Sequence, residues 1–384
     1  MKAIYLTTSL ERQDYVDFTN IWKTPLNSGN QNYHNKLIRL ISTLTDVEVF
    51  SLRPFSKRFC KTYKLKASDK QINNIHYHYL EVSRNSVFRK NNFIKQSLKL
   101  IKNCLDEELL VFVDVINPNA IAVANALKEK YHFPTIGVCT STPSNISGTP
   151  RSYTQSIMEN TAEFDGYICV TNSIKDIFNS TDKPSIVING ILDNAIVKSI
   201  DNEYGRYFLF AGNLMNKYGL YSLIDAFKEI EDKNIKLLLC GHHANEKLLK
   251  QAIKDDERII YLGQLTVEKT QQLEINAFAN INPTPFSEDL DRFNFPGKVI
   301  EYLGSGAMTI STKNTTLLKQ FPNEIIWCKN GEKEDLKFGL ERALSLTLEE
   351  RNRLGKIAKE KVKELYSFNN LKPAFKDFVN QFVK

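Results

Sequence analysis

Two segments of this chain combine residue types suited to holding a phosphorylated ligand. The first is NFPGKVIEYLGSGAMTIST, 294–312. Pro296 and Gly297 open a helical pattern that runs to about Leu303. Proline suits a helix start, because its missing N–H would go unsatisfied there anyway. The free N–H groups of a first turn attract phosphate, and Gly297 permits close approach. Lys298 adds a positive charge, and one turn on Glu301 offers a carboxylate of the kind that holds vicinal ribose hydroxyls. The same residues also fit an ordinary capped helix with Glu301 on a solvated face.

The second segment is FLFAGNLMNKYGLYSLIDAF, 208–227. A strand ends at Gly212, a loop carrying Asn213 and Lys217 follows, and a helix begins near Gly219. A lysine-bearing loop at the carboxyl end of a sheet strand is a natural diphosphate site. The alternative is a surface lysine in a turn.

Other chemistries find no residues to carry them. No G-x-S-x-G, H-E-x-x-H or Walker loop is present. The six cysteines are scattered, with no C-x-x-C pair, and read as small buried hydrophobes. His242 and His243 have no carboxylate or cysteine partner at metal spacing. No metal and no cofactor is expected.

The elements that must position these segments are legible as apolar runs. Strands are predicted at 2–8, 47–52, 109–115, 134–139, 166–171 and 185–190, with helices at 31–44, 92–104, 118–130 and 151–162 among them. A second series has strands at 207–212, 235–241, 258–263, 277–283, 307–312 and 324–329. Its helices are 219–231, 244–254, 266–275, 296–305, 314–320, 333–345 and 348–366. Apolar strands alternating with helices predict parallel sheets covered on both faces. The class is α/β, with two Rossmann-like domains whose sheets face a central cleft. The expected domains are 1–195 and 196–367, followed by a terminal helix at 368–384. A chain of 384 residues suits two domains of roughly 190 residues each.

Composition sets the outer limits. No apolar run approaches the roughly 20 residues of a spanning helix, and the first residues read as a strand instead of a leader. A cytoplasmic protein is expected. The net charge is +7, and thirteen basic residues against Asp69 and Glu81 lie between Arg53 and Lys102. Phe55, Phe59, Tyr63, Phe88 and Phe93 are interleaved with them. That stretch is either a solvated helix face or a contact for a membrane leaflet or a phosphate-bearing acceptor. Nucleic acid would need a recognition motif, and none accompanies the charge.

The two segments together resemble glycosyltransferase family 4, the group 1 type of retaining glycosyltransferases with the GT-B fold. The family's donor segment reads roughly F-P-x-K-x-x-E-Y-L-x-x-G, matched here by 295–306. The resemblance implies that Glu301 binds the donor ribose and that Phe295, Pro296, Gly297 and Lys298 form the phosphate-facing turn. It also implies that Gly212, Asn213 and Lys217 lie at the diphosphate, with Lys217 and Glu301 the principal catalytic-site residues. Two positions depart from the pattern. A second Glu that precedes Glu301 by eight residues in many members is Phe293 here, and an Arg common after the first Gly is Asn213. Weaker echoes are Asn189-Gly190 at the end of the first domain, Ser28-Gly29-Asn30 where the family has a glycine loop, and the tail 368–384, which resembles the GT-B terminal helix and so is expected to pack back on the first domain. After strand 134–139 the loop TSTPSNISG has no His, and Ser144 and Asn145 are the acceptor-side candidates, with Ser28 and Gly29.

The function so implied is metal-independent, retaining transfer from a UDP- or GDP-sugar to a glycan or lipid-linked acceptor, in surface polysaccharide or glycoconjugate synthesis. Peripheral membrane contact through 53–102 goes with it. A non-catalytic relative acting as partner or scaffold, or a nucleotide-sugar epimerase, are the alternatives.

Overall fold

The six runs expected as strands in the first half all form strands, most of them covered on both faces. In β1 (Lys2–Thr7) five consecutive residues are buried, and in β7 (Leu109–Asp114) all six are. A computed structural model describes residues 1–22, 28–55, 62–83, 89–105, 108–143, 151–193, 202–243 and 245–383. They divide into two units. Unit 1 is Met1–Ile191 with Arg292–Asn294 and Leu371–Lys384; unit 2 is Leu192–Asp291 with Phe295–Asn370.

In unit 1, β1 is followed by α1 (Arg12–Trp22), α2 (Ser28–Ser42), β2 (Val47–Ser51), β3 (Lys64–Leu65), β4 (Ser68–Ile72), β5 (Ile75–Tyr79), β6 (Val82–Ser83) and α3 (Arg89–Ile101). Then come β7, α4 (Pro118–Tyr131), β8 (Thr135–Cys139), α5 (Arg151–Thr161), β9 (Gly166–Cys169), α6 (Asn172–Phe178) and β10 (Ser185–Val187). The large sheet has the order β10-β9-β8-β7-β1-β2-β5-β4, parallel throughout except for β4 against β5. The chain builds outward from β1 through β2 to β5, then returns to place β7 on β1's other side. That reversal opens a crevice at the carboxyl ends of β1 and β7.

The hairpin β4–β5 and helix α1 are not in the sequence expectation. Ile75, Tyr77 and Tyr79 are buried while His76 and His78 alternate outward. A strand with four of its five residues histidine or tyrosine carries a weak apolar signal although its period is two.

Unit 2 contains β11 (Tyr207–Ala211), α7 (Leu220–Lys228), β12 (Lys236–Cys240), α8 (Glu246–Ile253), β13 (Ile259–Gly263), α9 (Val267–Asn276), β14 (Ala279–Asn282) and α10 (Glu288–Phe293), whose last two residues belong to unit 1. It continues with α11 (Gly297–Ser305), β15 (Met308–Thr312), α12 (Thr315–Gln320), β16 (Ile325–Cys328), α13 (Lys333–Ser345) and α14 (Leu348–Tyr366). The six strands are parallel in the order β13-β12-β11-β14-β15-β16. Numbered along the unit this is 3-2-1-4-5-6, the dinucleotide-binding order, with its switch point between β11 and β14. Helix α14 starts on a full capping box, Thr347 with Glu350, which explains its sharp beginning.

The last helix, α15 (Phe368–Val379), carries Phe375, which is buried in unit 1 with its ring 6.4 Å from that of Phe112 on β7. Cys104, Cys139, Cys169, Cys240 and Cys328 are free and buried, packing as small hydrophobes. Among the described residues no helix is long and apolar enough to cross a membrane.

Candidate functional site

The site in unit 2 is built around a wedge. β11 pairs with β14 only at Phe208–Ala279 and Leu209–Asn280. Beyond that point the two strands need another source of hydrogen bonds on their facing edges. Tyr302 of α11 supplies it to β11. Its hydroxyl accepts from the Ala211 N–H at 3.0 Å and donates to the Ala211 carbonyl at 2.9 Å. A tyrosine O–H can play both roles at once. Tyr302 is fully buried, and burial raises its pKa. This contact seats α11 at the switch point and fixes which of its residues face the mouth.

One turn before Tyr302 stands Lys298, its ammonium 5.8 Å from the Tyr302 ring centroid. Lys298 Nζ lies 2.7 Å from Glu301 Oε2 and 2.9 Å from Glu274 Oε1. Burial works against the ammonium, but Glu274 and Glu301 outweigh it and hold the pKa well above that of a free lysine. Glu274, on α9, is 2% exposed. A buried carboxylate is costly unless paired, so Lys298 is its necessary partner. With one cation between two anions, Lys298 brings no spare charge to a phosphate. It fixes Glu301, whose side chain stays 17% exposed, in a defined position.

The β11 loop closes the other side. Gly212 N–H donates to the Cys240 carbonyl at 2.8 Å, and Leu214 N–H to the His242 carbonyl at 3.0 Å. A Cβ on Gly241 would stand 1.7 Å from the Gly212 oxygen, so the ends of β11 and β12 touch backbone to backbone. The loop turns through Asn216–Tyr218, with Lys217 exposed and its ammonium 4.9 Å from the Tyr218 ring centroid. Gly219, at φ 80°, then crosses the end of β14, where a Cβ would meet the Pro283 oxygen at 1.9 Å. Only glycine fits that crossing. The loop with Asn213 and Lys217 is thereby held over the switch point. The Asn213 Oδ1 atom is buried, with no hydrogen-bond partner among the described residues.

His242 and His243 follow β12. His243 accepts from the Asn245 N–H at 3.0 Å, and its Nε2 lies 3.3 Å from the Tyr221 hydroxyl. Burial and the neighbouring His243 push the His242 pKa down.

The remaining expected residues fall in different places. Phe295 is 8% exposed and packs with Leu192, Val299 and Tyr366, so its side chain is core and not part of a phosphate-facing surface. Pro296 is the N-cap of α11, and Gly297 is its first residue. The Gly297 N–H donates to the Phe295 carbonyl at 2.8 Å, so that amide is already used. Nothing lies within 4 Å of a Cβ placed on Gly297, which leaves its surface open. Phe293 packs against the core of unit 1. Ser28 begins α2, Gly29 is exposed beside it, and Ser144 and Asn145 lie outside the described residues. Glu274 was missed from sequence because one acid within LEINAF has no motif to mark it.

Unit 1 has its own concavity of about 280 Å³ at the carboxyl ends of β1, β2 and β7. Thr8, Arg53 and Asp114 line it from the strand ends, and Asn30, Arg89 and Tyr153 from helices. Asp114 is 1% exposed. Its Oδ1 accepts from the Ile116 N–H at 3.2 Å, and its Oδ2 faces Asn30 Nδ2 at 3.5 Å and His34 Nε2 at 3.4 Å. Behind it the Tyr5 hydroxyl lies 2.6 Å from His34 Nδ1. Arg53 donates to the Leu80 carbonyl and Arg89 to the Ser83 carbonyl, each at 3.1 Å. Burial lowers both guanidinium pKa values, and both Nε atoms are buried with no partner among the described residues. The arrangement suits a polyhydroxyl ligand that also carries an anion.

Residues 193–361 match the family model described as glycosyl transferases group 1. No curated protein matches the chain by sequence. Among solved structures it is similar to the sucrose-phosphate synthase of Thermosynechococcus elongatus, at TM-score 0.72 and 13% identity over 99% of both chains. It is also similar to an alpha,alpha-trehalose-phosphate synthase (UDP-forming) from Burkholderia xenovorans in complex with glucose-6-phosphate, at TM-score 0.68 and 10% identity over 99% of this chain and 100% of that one. A third is Anabaena Alr3699/HepE in complex with UDP and glucose, at 0.65 and 12%, over 99% and 100%. These likenesses establish the GT-B fold. The family match covers 193–361, less than half of the chain, and likens that part to the group 1 glycosyltransferases.

Proposed function

We propose that the chain moves a sugar from a nucleotide-diphosphate sugar to a glycan or lipid-linked acceptor, with retention and without a metal, in surface polysaccharide or glycoconjugate synthesis. The observation that carries the reading is the Tyr302 wedge, which sets Glu301, clamped by Lys298, at the switch point of a dinucleotide-ordered sheet. The ribose hydroxyls are held by Glu301. Lys217 neutralises the departing diphosphate, and the Asn213 side chain completes that end. The base is uracil or guanine, and similar folds solved with UDP favour uracil.

The chemistry needs little else from the protein. The bond from the anomeric carbon to the diphosphate oxygen breaks, and one from that carbon to the acceptor oxygen forms on the same face. The acceptor proton passes to the leaving phosphate oxygen. Positioning and charge neutralisation are enough, because the leaving group is good. The acceptor binds in unit 1, where Asp114 and Asn30 face the concavity. The chain works in the cytoplasm. Lys95, Lys99 and Lys102 are exposed on α3 and its continuation and touch the anionic inner membrane surface.

A non-catalytic relative is the competing reading, favoured by Phe293 and by the neutralised charge of Lys298. A thermal-shift panel of UDP, GDP, ADP, TDP and their sugars on wild type, Lys217→Ala and Glu301→Ala separates the two. Stabilisation by one base that is lost in both variants, with slow donor hydrolysis, supports transfer. No shift with any nucleotide supports the scaffold. Charge reversal of the three α3 lysines that left liposome association unchanged would remove the membrane part.

A further inference from the structure

Three adjacent strands of unit 1 place four metal-ligating side chains on one face. Parallel pairing sets Glu48 of β2 opposite His76 of β5, and antiparallel pairing sets Asp69 of β4 opposite His78. His76 and His78 are two residues apart, so a strand's period puts both on the same side. Glu48 Oε2 lies 2.7 Å from His78 Nε2 and 3.4 Å from His76 Nδ1. Asp69 Oδ1 lies 2.5 Å from His78 Nδ1. The two imidazole centroids are 4.0 Å apart. One ligand atom from each of Glu48, His76 and His78 falls within 4.8 Å of the other two.

This geometry narrows what can occupy the cluster. Two imidazoles at that separation repel if both are charged. A carboxylate facing Nε2 at hydrogen-bond distance needs either a hydrogen on that nitrogen or a metal ion shared by the two atoms. Asp69 on the opposite nitrogen supplies the outer carboxylate that fixes a ligating histidine's tautomer and leaves its Nε2 pointing at the metal. Two imidazoles and a carboxylate form a donor set for zinc-like ions, at bonds of about 2.0–2.2 Å.

We propose that Glu48, His76 and His78 bind a divalent ion of the zinc class, with Asp69 orienting His78 from outside. The ion clamps the edge hairpin β4–β5 onto β2. None of the four residues lines the unit 1 concavity, so the site is structural and independent of the transferase reading. Lys2 of β1 lies 3.6 Å from Glu48. A proton on His78 competes with the metal, and affinity rises with pH.

The test uses untagged full-length protein stripped with chelator, titrated with Zn²⁺ by calorimetry and with Co²⁺ by visible absorption. One ion per chain should bind, with Co²⁺ bands of a low-coordinate nitrogen–oxygen site. His76→Ala and Glu48→Gln should each weaken binding by about 100-fold, and Asp69→Asn by about 10-fold. His132→Asn, at a remote helix end, should bind as wild type does. Circular dichroism checks that each variant is folded, and Glu48→Gln keeps the shape of the cluster if an alanine variant fails to fold. The absence of saturable binding at about 100 μM ion, or wild-type affinity in both His76→Ala and Glu48→Gln, would overturn the proposal.

Discussion

The Tyr302 hydroxyl holds both backbone groups of Ala211, one as donor and one as acceptor. This single side chain replaces the ladder that β14 no longer provides beyond Asn280. Removing the hydroxyl leaves a buried N–H and a buried C=O without a partner. Tyr302→Phe should therefore lower the stability of unit 2 by about 2–4 kcal/mol, twice the usual cost of one orphaned group at its lower end. Urea unfolding measures it. A change below about 0.5 kcal/mol would mean that water or a strand shift satisfies Ala211.

Lys298 and Glu274 form the next dependence. The Glu274 side chain is buried and the Lys298 side chain 28% exposed, so the pair is neither a surface bridge nor fully sequestered. Lys298→Met should destabilise by about 2–4 kcal/mol, because it leaves Glu274 uncompensated. Adding Glu274→Gln to that variant should recover part of the loss. A double-mutant cycle by denaturation reads the coupling. With alkaline pH the sign follows from the raised lysine pKa. The pair's contribution is complete below the unfolded value, about 10.4, and declines as pH rises through the folded one.

Most of the frame that makes these contacts was legible in the chain. The runs FLFA and LLLC are apolar on both faces and could only be interior parallel strands, and α13 and α14 start and stop where the pattern does. What was not legible depends on neighbours distant in sequence. Phe295 reads like part of a phosphate turn until Leu192 and Tyr366 are seen to cover it. Lys298 reads like a free cation until Glu274, 24 positions earlier, arrives beside it. Asp114 ends an apolar strand and carries no motif, yet it lies where the first sheet reverses direction. Local pattern specifies elements, whereas charge pairing is decided by packing.

Two glycines separate binding from folding. Gly219→Ala must force a Cβ into the Pro283 carbonyl at a positive φ, and should cost more than about 2 kcal/mol. Gly297→Ala meets open space in a helical first turn, and should leave stability unchanged or raise it by up to about 1 kcal/mol. If the donor phosphates approach that turn, the same methyl group should weaken nucleotide binding about tenfold, roughly 1.4 kcal/mol. Calorimetric titration with the preferred nucleoside diphosphate checks it. Unchanged affinity would move the phosphates toward Lys217 and away from α11.

The histidine cluster gives a pH signature whose direction depends on what fills it. In metal-free protein, burial opposes the charge on His78. Its hydrogen bonds to Glu48 and Asp69 outweigh burial and raise its pKa above the ordinary 6.5. The stabilisation is then complete below about 6.5 and is lost as pH rises through the folded value. Burial would raise Glu48, but His78, His76 and Lys2 bring it below its ordinary 4.5, so its share is present above about 4.5 and lost in more acid solution. Chelator-treated wild type should lose stability from pH 6.5 to 8.5 relative to His78→Gln, as read by urea midpoints at each pH. With saturating Zn²⁺ the trend should reverse, because deprotonated His78 is the ligand and tighter binding adds stability by mass action. A slope unchanged by Zn²⁺ would leave the proton as the only cation the cluster holds.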